Sequence, residues 1–374
     1  MDISVLSSLL DAIKLITWQQ IVMLAIGGIL VYLAIAHDIE PMLLLPIGFG
    51  AIITNLPLNV IFQEHGLLKI LYDVGITTEI FPLLLFIGLG AMTDFGPLLE
   101  NPSMAFLGAA GHLGVFATLL LAIAIGFPLN SAATVAAIGT MDGPTSIYVA
   151  QQLDRNLLPA IAVAAYSYMS LVPIIQPPIM KLLTTKEERM VRMPYTQVPV
   201  SKTVRILFPI IVTIVVTLMV PVASPLIATI MFGNLMRESG VVERLVKSSQ
   251  EEIANMTTVF LGLTVGASMV AEQFVRWETI GIMALGLFAF VLDMAGGVLF
   301  GKLLYRIGGK KFNPLIGSAG ISAFPMSARV VQKVGQEFDF DNFLLMHAMG
   351  ANVAGQLGSV MIGGIVLAMV MKFM

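Results

Sequence analysis

The 374-residue chain contains no cysteine and little charge, since only 11% of its residues are Asp, Glu, Lys or Arg. The absence of cysteine excludes disulfides, thiolate metal sites and cysteine nucleophiles. A soluble globular domain carries about a quarter charged residues. The net charge of −3, without a clustered basic face, gives no indication of nucleic-acid binding. Water is therefore not expected to be the main solvent of this chain.

The sequence is rich in long apolar runs, and 57% of its residues are hydrophobic. Four runs are long enough to cross a hydrocarbon core of about 30 Å as helices: Trp18–Ala36, Met104–Gly126, Ile206–Val222 and Thr279–Phe300. The first run has no small-residue cleavage site behind it, so we interpret it as a helix and not a signal peptide. Residues 1–16 are expected to lie amphipathically at the membrane surface. The composition predicts a multi-pass protein of the lipid bilayer.

Short motifs recur in the same order on both sides of a polar stretch at residues 181–205. The best match is P-x-S-x-x-V-x-Q, which begins at Pro144 and again 181 residues later at Pro325. Internal repeats in an all-helical membrane chain are typical of secondary transporters, where ions bind near the midplane between the repeats. We therefore predict an all-α fold of two inverted repeats, each with about five spanning helices and one broken or re-entrant helix.

This prediction divides the chain into four parts: an N-terminal interfacial segment at 1–16, a first transmembrane repeat at 17–184, a linker at 185–203 and a second transmembrane repeat at 204–374. The side that carries the linker would hold most of the 20 Lys and Arg residues. The positive-inside rule then places the 181–205 loop in the cytoplasm. We expect the protein to lie in the inner (plasma) membrane of the cell. Whether the broken helices span or re-enter stays open.

Helix-breaking residues surround the shared motif in both repeats, at Gly139–Pro144 and at Asn313–Pro325. Backbone groups freed inside a membrane must line a cavity or be covered by protein. Asp142 lies in the first break, where an ionised carboxylate is costly unless a cation, a donor or water compensates it. A hard cation such as Na⁺ fits, because carboxylate, amide, hydroxyl and backbone oxygens can replace its hydration shell. A helix-capping aspartate is the alternative.

Other polar residues in the apolar runs have two interpretations each. Arg329 could hold a carboxylate-bearing ligand or form a permanent ion pair between helices. Tyr168 could donate a proton or be a satisfied phenol in a helix interface, and Asn352 could ligate an ion. His112 and Asp293, which the same shift of 181 relates, could relay protons or simply join helices.

Eight longer motifs are specific enough to indicate a family: Leu43–Gly50, Gly90–Leu99, Asp142–Thr145, Ala164–Met169, Ile175–Met180, Gly233–Gly240, Asn313–Gly320 and Leu344–Gly350. Through them nearly the whole chain resembles the β subunit of the sodium-pumping biotin-dependent decarboxylases, which include the oxaloacetate, methylmalonyl-CoA and glutaconyl-CoA enzymes. In that family the β subunit decarboxylates carboxybiotin and couples this to Na⁺ export while a proton enters.

The resemblance implies cofactors, partners and site residues. The cofactors are Na⁺ and biotin, the latter as carboxybiotin on a separate carrier subunit. The partners are that biotin-carrier subunit, a carboxyltransferase α subunit and a small membrane-anchored subunit. The resemblance is also compatible with a homo-oligomer. By motif, the catalytic residues fall on Asp142, Tyr168 and Arg329, and carboxybiotin contacts fall on Arg329 and Ser322. The Na⁺ ligands fall on Asp142, Asn313, Gly317, Ser322 and Asn352.

Two differences separate the chain from the oxaloacetate member of the family. The pattern P-x-A-x-R is replaced by a serine version that ends at Arg329, and the segment between Gly66 and Phe86 is short. The overall acid substrate therefore stays open. A Na⁺-coupled or Na⁺/H⁺ secondary transporter without decarboxylase chemistry is the main alternative, and a scaffold that only tethers soluble subunits is a third.

Overall fold

The computed structural model describes residues 14–195 and 199–373, and this part of the chain is helical without any β-strand. The all-α prediction is thereby confirmed. The helices of the first half are α1 (Trp18–Ala36), α2 (Pro41–Thr54), α3 (Leu67–Gly75), α4 (Ile80–Met92), α5 (Gly96–Glu100), α6 (Met104–Ala110), α7 (Leu113–Ala124), α8 (Leu129–Ala136), α9 (Gly143–Leu153), α10 (Leu158–Ser170), α11 (Val172–Leu183) and α12 (Lys186–Arg189). The predicted interfacial segment 1–16 lies outside the described residues except for its last three.

The described residues of the second half are also helical. Its helices are α13 (Lys202–Met219), α14 (Ser224–Ser239), α15 (Glu243–Ser248), α16 (Ala254–Ser268), α17 (Ala271–Phe274), α18 (Trp277–Ile307), α19 (Met326–Phe338) and α20 (Leu345–Met371). Tighter 3₁₀ turns cover Ala137–Thr140, Arg155–Leu157, Pro221–Ala223 and Pro314–Ala319, and one π-helical turn covers Ser249–Ile253.

Five stretches of the described chain are long and apolar enough to cross a membrane: α1, α6 with α7, α13, α18 and α20. Two bent pairs raise the number to as many as seven. Helices α3 and α4 meet at 62°, and α10 and α11 at 64°. The four predicted apolar runs all coincide with such stretches, which confirms a multi-pass membrane protein.

Two helix pairs connect the first half of the chain to the second. Helix α2 packs against α16, and helix α4 packs against α14. Both contacts bring backbones together at glycine: a Cβ on Gly266 would lie 2.0 Å from the carbonyl oxygen of Ile47, and one on Gly233 would lie 2.1 Å from that of Ile87. Small residues are what allow membrane helices to approach so closely.

Two buried asparagines, one from each half of the chain, form hydrogen bonds at the ends of these helix contacts. Asn55 follows α2 and donates to the carbonyl of Met269 at 2.8 Å, just after α16. Asn234 lies in α14 and donates to the carbonyl of Thr93 at 3.0 Å, just after α4. Each half therefore supplies a buried side-chain amide that donates to a carbonyl group at the end of a helix in the other half.

The helical pattern is interrupted at both places where the sequence predicts a break. In the first, the turn after α8 leads to Met141, whose φ of 52° is left-handed, and to Asp142 in extended conformation before α9 begins. In the second, Asn313 opens a 3₁₀ turn, and residues 320–325 continue without regular structure until α19. We refer to these segments, residues 137–142 and 313–325, as the first break and the second break.

Candidate ion-binding site

Asp142 is the last residue of the first break, directly before α9, and only 5% of its surface is exposed. It occupies the N-cap position of α9, but its side chain forms no capping hydrogen bond with the helix; instead its Oδ2 accepts a hydrogen bond from the hydroxyl of Thr145. The unpaired N–H groups at a helix start favour negative charge there. Gly143 is needed at the next position because a Cβ would lie 2.2 Å from the ring of Tyr166. The motif D-G-P-T thus fixes one carboxylate at a helix start inside the protein.

Oxygens from the second break and from α20 converge on this carboxylate. Oγ of Ser359 lies 3.3 Å from Oδ2 of Asp142 and 3.3 Å from Oγ of Ser322. It also lies 2.7 Å from the carbonyl oxygen of Gln356. The single hydrogen of the Ser359 hydroxyl can go to Asp142 or to the Gln356 carbonyl but not to both, while Ser322 can donate its own hydrogen to Ser359. Oxygens gathered around a carboxylate in this way are ligands that a hard cation prefers.

A cavity of about 410 Å³ opens beside these oxygens, and we call it the inner cavity. Its volume gives room for several water molecules. One wall comes from the two breaks and α20, with Asp142, Ser322 and Gln356. The facing wall comes from Glu40 before α2 and from α4 and α16, with Leu85, Leu89, Asn255 and Thr258. A hydrated ion could therefore reach the carboxylate from this side.

Tyr166, which the sequence reasoning passed over, lines the inner cavity, whereas Tyr168 does not. The buried hydroxyl of Tyr166 has no hydrogen-bond partner among the described residues. Tyr168 instead donates to the carbonyl of Met283 at 2.5 Å, and its ring lies 6.2 Å from that of Phe290 in α18. The signal for Tyr166 was present, because it belongs to the same A-A-Y-S-Y-M motif.

Asn352 lies on the stripe of α20 that faces the second break. It stands four and seven residues before Gln356 and Ser359, a spacing that places all three on one helix face. Its Nδ2 donates to the carbonyl of Ile321 at 2.6 Å, and its buried Oδ1 has no partner among the described residues. That oxygen is available to a cation.

Asn313 and Gly317 fix the second break to its surroundings and lie outside the lining of the inner cavity. The amide of Asn313 donates to the carbonyls of Arg189 and Val191 at 3.0 and 2.8 Å. A Cβ on Gly317 would lie 1.9 Å from the carbonyl oxygen of Gly297 in α18. In this conformation both residues position the break and do not face Asp142.

Arg329 is exposed on α19, and its guanidinium forms no ion pair within the described part of the chain. The permanent ion pair considered from the sequence is therefore not present in this conformation. An exposed guanidinium has its planar set of donors free for a carboxylate.

His112 and Asp293 are both fully buried, away from the inner cavity. Nδ1 of His112 lies 2.6 Å from the carbonyl oxygen of Gly108, and Oδ1 of Asp293 accepts from the N–H of Gly114 at 2.5 Å. Their other polar atoms, Nε2 and Oδ2, have no partner among the described residues. Asp293 thereby satisfies a free N–H group at the start of α7.

A helical membrane protein in which two broken segments meet at one buried carboxylate has the features of an ion-translocating protein. Comparison with known proteins makes this class specific. Residues 19–370 match the family described as the Na⁺-transporting oxaloacetate decarboxylase beta subunit. The chain belongs to this family, whose members are membrane subunits that couple decarboxylation to sodium transport within multi-subunit enzymes.

Similar proteins with different names support this membership. The chain is 51% identical over 354 residues to the glutaconyl-CoA decarboxylase subunit beta of Acidaminococcus fermentans, covering 95% of this chain and 94% of that protein. It is 52% identical over 348 residues to the methylmalonyl-CoA decarboxylase subunit beta of Veillonella parvula, with 93% and 92% covered. It is 46% identical over 413 residues to the oxaloacetate decarboxylase beta chain 2 of Salmonella typhimurium, with 94% and 95% covered. The family resemblance seen in the sequence is confirmed.

Proposed function

We propose that Na⁺ binds where the two breaks meet, with Asp142 as the charged ligand and Ser322 and Asn352 as neutral ones. The observation that carries this proposal is the position of the Ser359 hydroxyl, which lies within 3.3 Å of both Asp142 and Ser322. Ser359 is thus a further ligand that the sequence reasoning did not name. Na⁺ is a hard cation that prefers such oxygens, and a single carboxylate balances its charge.

Asn313 and Gly317, the remaining predicted ligands, would act by holding the second break in place. Each anchors the break to a neighbouring segment, the linker for Asn313 and α18 for Gly317. Ligation through the Gly317 carbonyl would require a rearrangement of its contact with Gly297.

The chemical step is the decarboxylation of carboxybiotin, presented by the biotin-carrier subunit. Its carboxylate would pair with the exposed guanidinium of Arg329, and Ser322 would donate a second hydrogen bond. Cleavage of the N–C bond leaves the electron pair on the biotin nitrogen and releases CO₂, so that nitrogen takes up one proton. Na⁺ that binds at Asp142 would displace a proton, and Tyr168 would pass a proton on. Tyr166 is a second candidate because it is one of the residues that line the inner cavity.

We also propose the inverted-repeat organisation, with repeats at 17–184 and 204–374 around the 185–203 linker. The crosswise hydrogen bonds of Asn55 and Asn234 support it. So does a second pair of bonds, each across nine residues of chain: Ser146 donates to the Ala137 carbonyl at 2.9 Å, and Ser327 to the Ser318 carbonyl at 3.2 Å. The two donor serines are 181 residues apart in the sequence, and so are the two acceptor residues.

The orientation and the partners complete the proposal. The excess of Lys and Arg on the side of the linker supports a cytoplasmic position for it, and we assign the protein to the inner membrane. A biotin-carrier subunit, a carboxyltransferase α subunit and a small membrane-anchored subunit would assemble with it, and several copies could associate. The relatives named above act on three different acids, so the carboxyltransferase would set the overall substrate.

The test uses the complete enzyme complex in sealed vesicles, with and without Na⁺. Asp142→Asn is expected to abolish Na⁺-stimulated decarboxylation and Na⁺ uptake, since an amide cannot balance the ion's charge. Asp341→Asn, an exposed acid near the linker, is the control and should keep both activities. Full coupled activity in Asp142→Asn would refute the assignment. Breakdown of free carboxybiotin that Na⁺ accelerates would separate this enzyme from a plain secondary transporter.

A further inference from the structure

A second cavity, of about 510 Å³, adjoins the inner cavity on the side of the loop between α1 and α2. We call it the outer cavity; its lining includes His37, Asp38, Pro173 and Met326. The two cavities share two lining residues, Glu40 and Met42. Glu40 therefore lies at the boundary between the outer cavity and the inner cavity that contains Asp142.

The Glu40 side chain is not engaged in holding the fold together. It precedes α2, and its backbone carbonyl accepts hydrogen bonds from the N–H groups of Leu43 and Leu44 at 3.0 and 2.9 Å. Its carboxylate forms no cap hydrogen bond with α2 and no ion pair with any described residue. Glu40 adopts a left-handed φ of 38°, which is uncommon outside glycine. Its charge thus has no partner within residues 14–195 and 199–373.

The surroundings of this carboxylate favour a cation. Neither cavity has a Lys or Arg among its described lining residues, while Asp38, Glu40 and Asp142 all line one or the other. Partial burial raises the pKa of Glu40, because desolvation disfavours its charged form. A nearby cation would offset that cost. Clefts lined by one sign of charge concentrate the opposite ion.

We propose that Glu40 forms an outer binding position for hydrated Na⁺ at the junction of the two cavities, from which the ion passes to Asp142. This rests on the proposed role of Asp142 as the inner ligand. The outer position would hold the ion with its water shell, because a single protein carboxylate faces a cavity with room for several waters. Its effect would be to raise the local Na⁺ concentration without taking part in decarboxylation.

The first test is Glu40→Gln in the complete complex, with decarboxylation measured against Na⁺ concentration at low ionic strength. The apparent KM for Na⁺ is expected to rise at least about threefold, since a charged cleft can enrich counter-ions about tenfold or more. The rate at saturating Na⁺ should stay unchanged. Glu79→Gln is a matched control: Glu79 also precedes a helix with a left-handed φ of 66°, but it lines neither cavity. An unchanged KM in Glu40→Gln would overturn the proposal.

The absence of cysteine from the chain permits a second test that separates charge from structure. Glu40→Cys should show the raised KM. An anionic methanethiosulfonate reagent, which restores negative charge, should then lower the KM towards the wild-type value, and a cationic reagent of similar size should not. The untreated variant and the treated wild-type complex are the controls. Equal effects of both reagents would refute a role for charge.

The two proposals fail in different ways. Retained Na⁺ dependence in Asp142→Asn would refute the inner site, and the outer position would then have no inner site to supply. A normal KM in Glu40→Gln together with an inactive Asp142→Asn would leave the inner site in place and remove only the outer position.

Discussion

Oγ of Ser359 lies 3.3 Å from Oδ2 of Asp142, although 217 positions separate the two residues in the chain. The contact joins α20 to the first break, and Ser322 in the second break lies equally close to the same hydroxyl. Three segments of an otherwise apolar protein thus bring their oxygens to one point. Only a cation or a proton can balance a carboxylate there without water.

Replacing Ser359 by alanine is expected to weaken Na⁺ binding without preventing folding. Interactions of a polar group with a charged partner contribute about 1.5–3 kcal/mol, so the apparent KM for Na⁺ should rise roughly tenfold or more. The measurement is Na⁺-dependent decarboxylation by the complete complex. Ser268→Ala is the control, because Ser268 makes the same type of helix bond, to the Val265 carbonyl at 2.7 Å, away from the site. Equal KM values in both variants would contradict the ligand role.

The two tyrosines of the α10 motif are expected to respond differently to loss of the hydroxyl. Tyr166→Phe should keep or raise thermal stability, because its buried hydroxyl has no partner to lose. It should lower Na⁺-dependent decarboxylation, since Tyr166 is one of the residues that line the inner cavity. Tyr168→Phe should also slow decarboxylation if it passes on the proton, but unlike Tyr166→Phe it should lower stability by about 1 kcal/mol, because the bond to the Met283 carbonyl is lost.

Thermal unfolding in detergent and decarboxylation by the complex distinguish the two variants. Normal activity and a normal KM for Na⁺ in Tyr166→Phe would rule out a role of the Tyr166 hydroxyl in Na⁺-dependent decarboxylation. An unchanged melting temperature in Tyr168→Phe would show that its bond to α18 does not stabilise the fold.

The sequence predicted the apolar spans, both helix breaks and the position of Asp142 within the first break, because each depends on local composition. It could not predict that Ser359 would meet Asp142, since α20 has no motif that marks residue 359. It favoured Tyr168 over Tyr166 because two neighbouring tyrosines in one motif differ only in the helix face they occupy. Asn313 was predicted as a ligand, yet its amide is bound to the linker in this conformation. Long-range packing decides such details.

Gly317 should not tolerate even one added methyl group. A Cβ there would lie 1.9 Å from the carbonyl oxygen of Gly297, so the second break and α18 would have to separate. Overpacking of this kind costs about 1–3 kcal/mol, occasionally more. We expect Gly317→Ala to lower the melting temperature of the purified subunit in detergent. Gly281→Ala, in α18 with no atom near its Cβ position, should leave it unchanged or slightly higher. Equal melting temperatures would show that the close contact can relax.

The linker is attached to the end of α19 by an ion pair whose contribution should depend on pH. Nε and Nη2 of Arg192 lie 2.6 and 2.7 Å from the two carboxylate oxygens of Asp339. This guanidinium holds the pKa of Asp339 below its ordinary value of 3.8. The unfolded chain therefore binds a proton at higher pH than the folded one. The stabilisation is present in full above about pH 4 and is lost as the pH falls through the folded-state pKa.

Melting temperatures of the wild-type protein and of Asp339→Asn between pH 7 and pH 3 test this expectation. The variant should melt lower near neutral pH, and the difference should shrink below about pH 4, where the wild-type carboxylate also loses its charge. Asp341→Asn is the control, because Asp341 is more exposed and its Oδ2 lies 3.4 Å from Nη2 of Arg192. Its difference from wild type should be smaller at every pH. A difference for Asp339→Asn that stays constant down to pH 3 would show that the pair does not stabilise the linker through its charge.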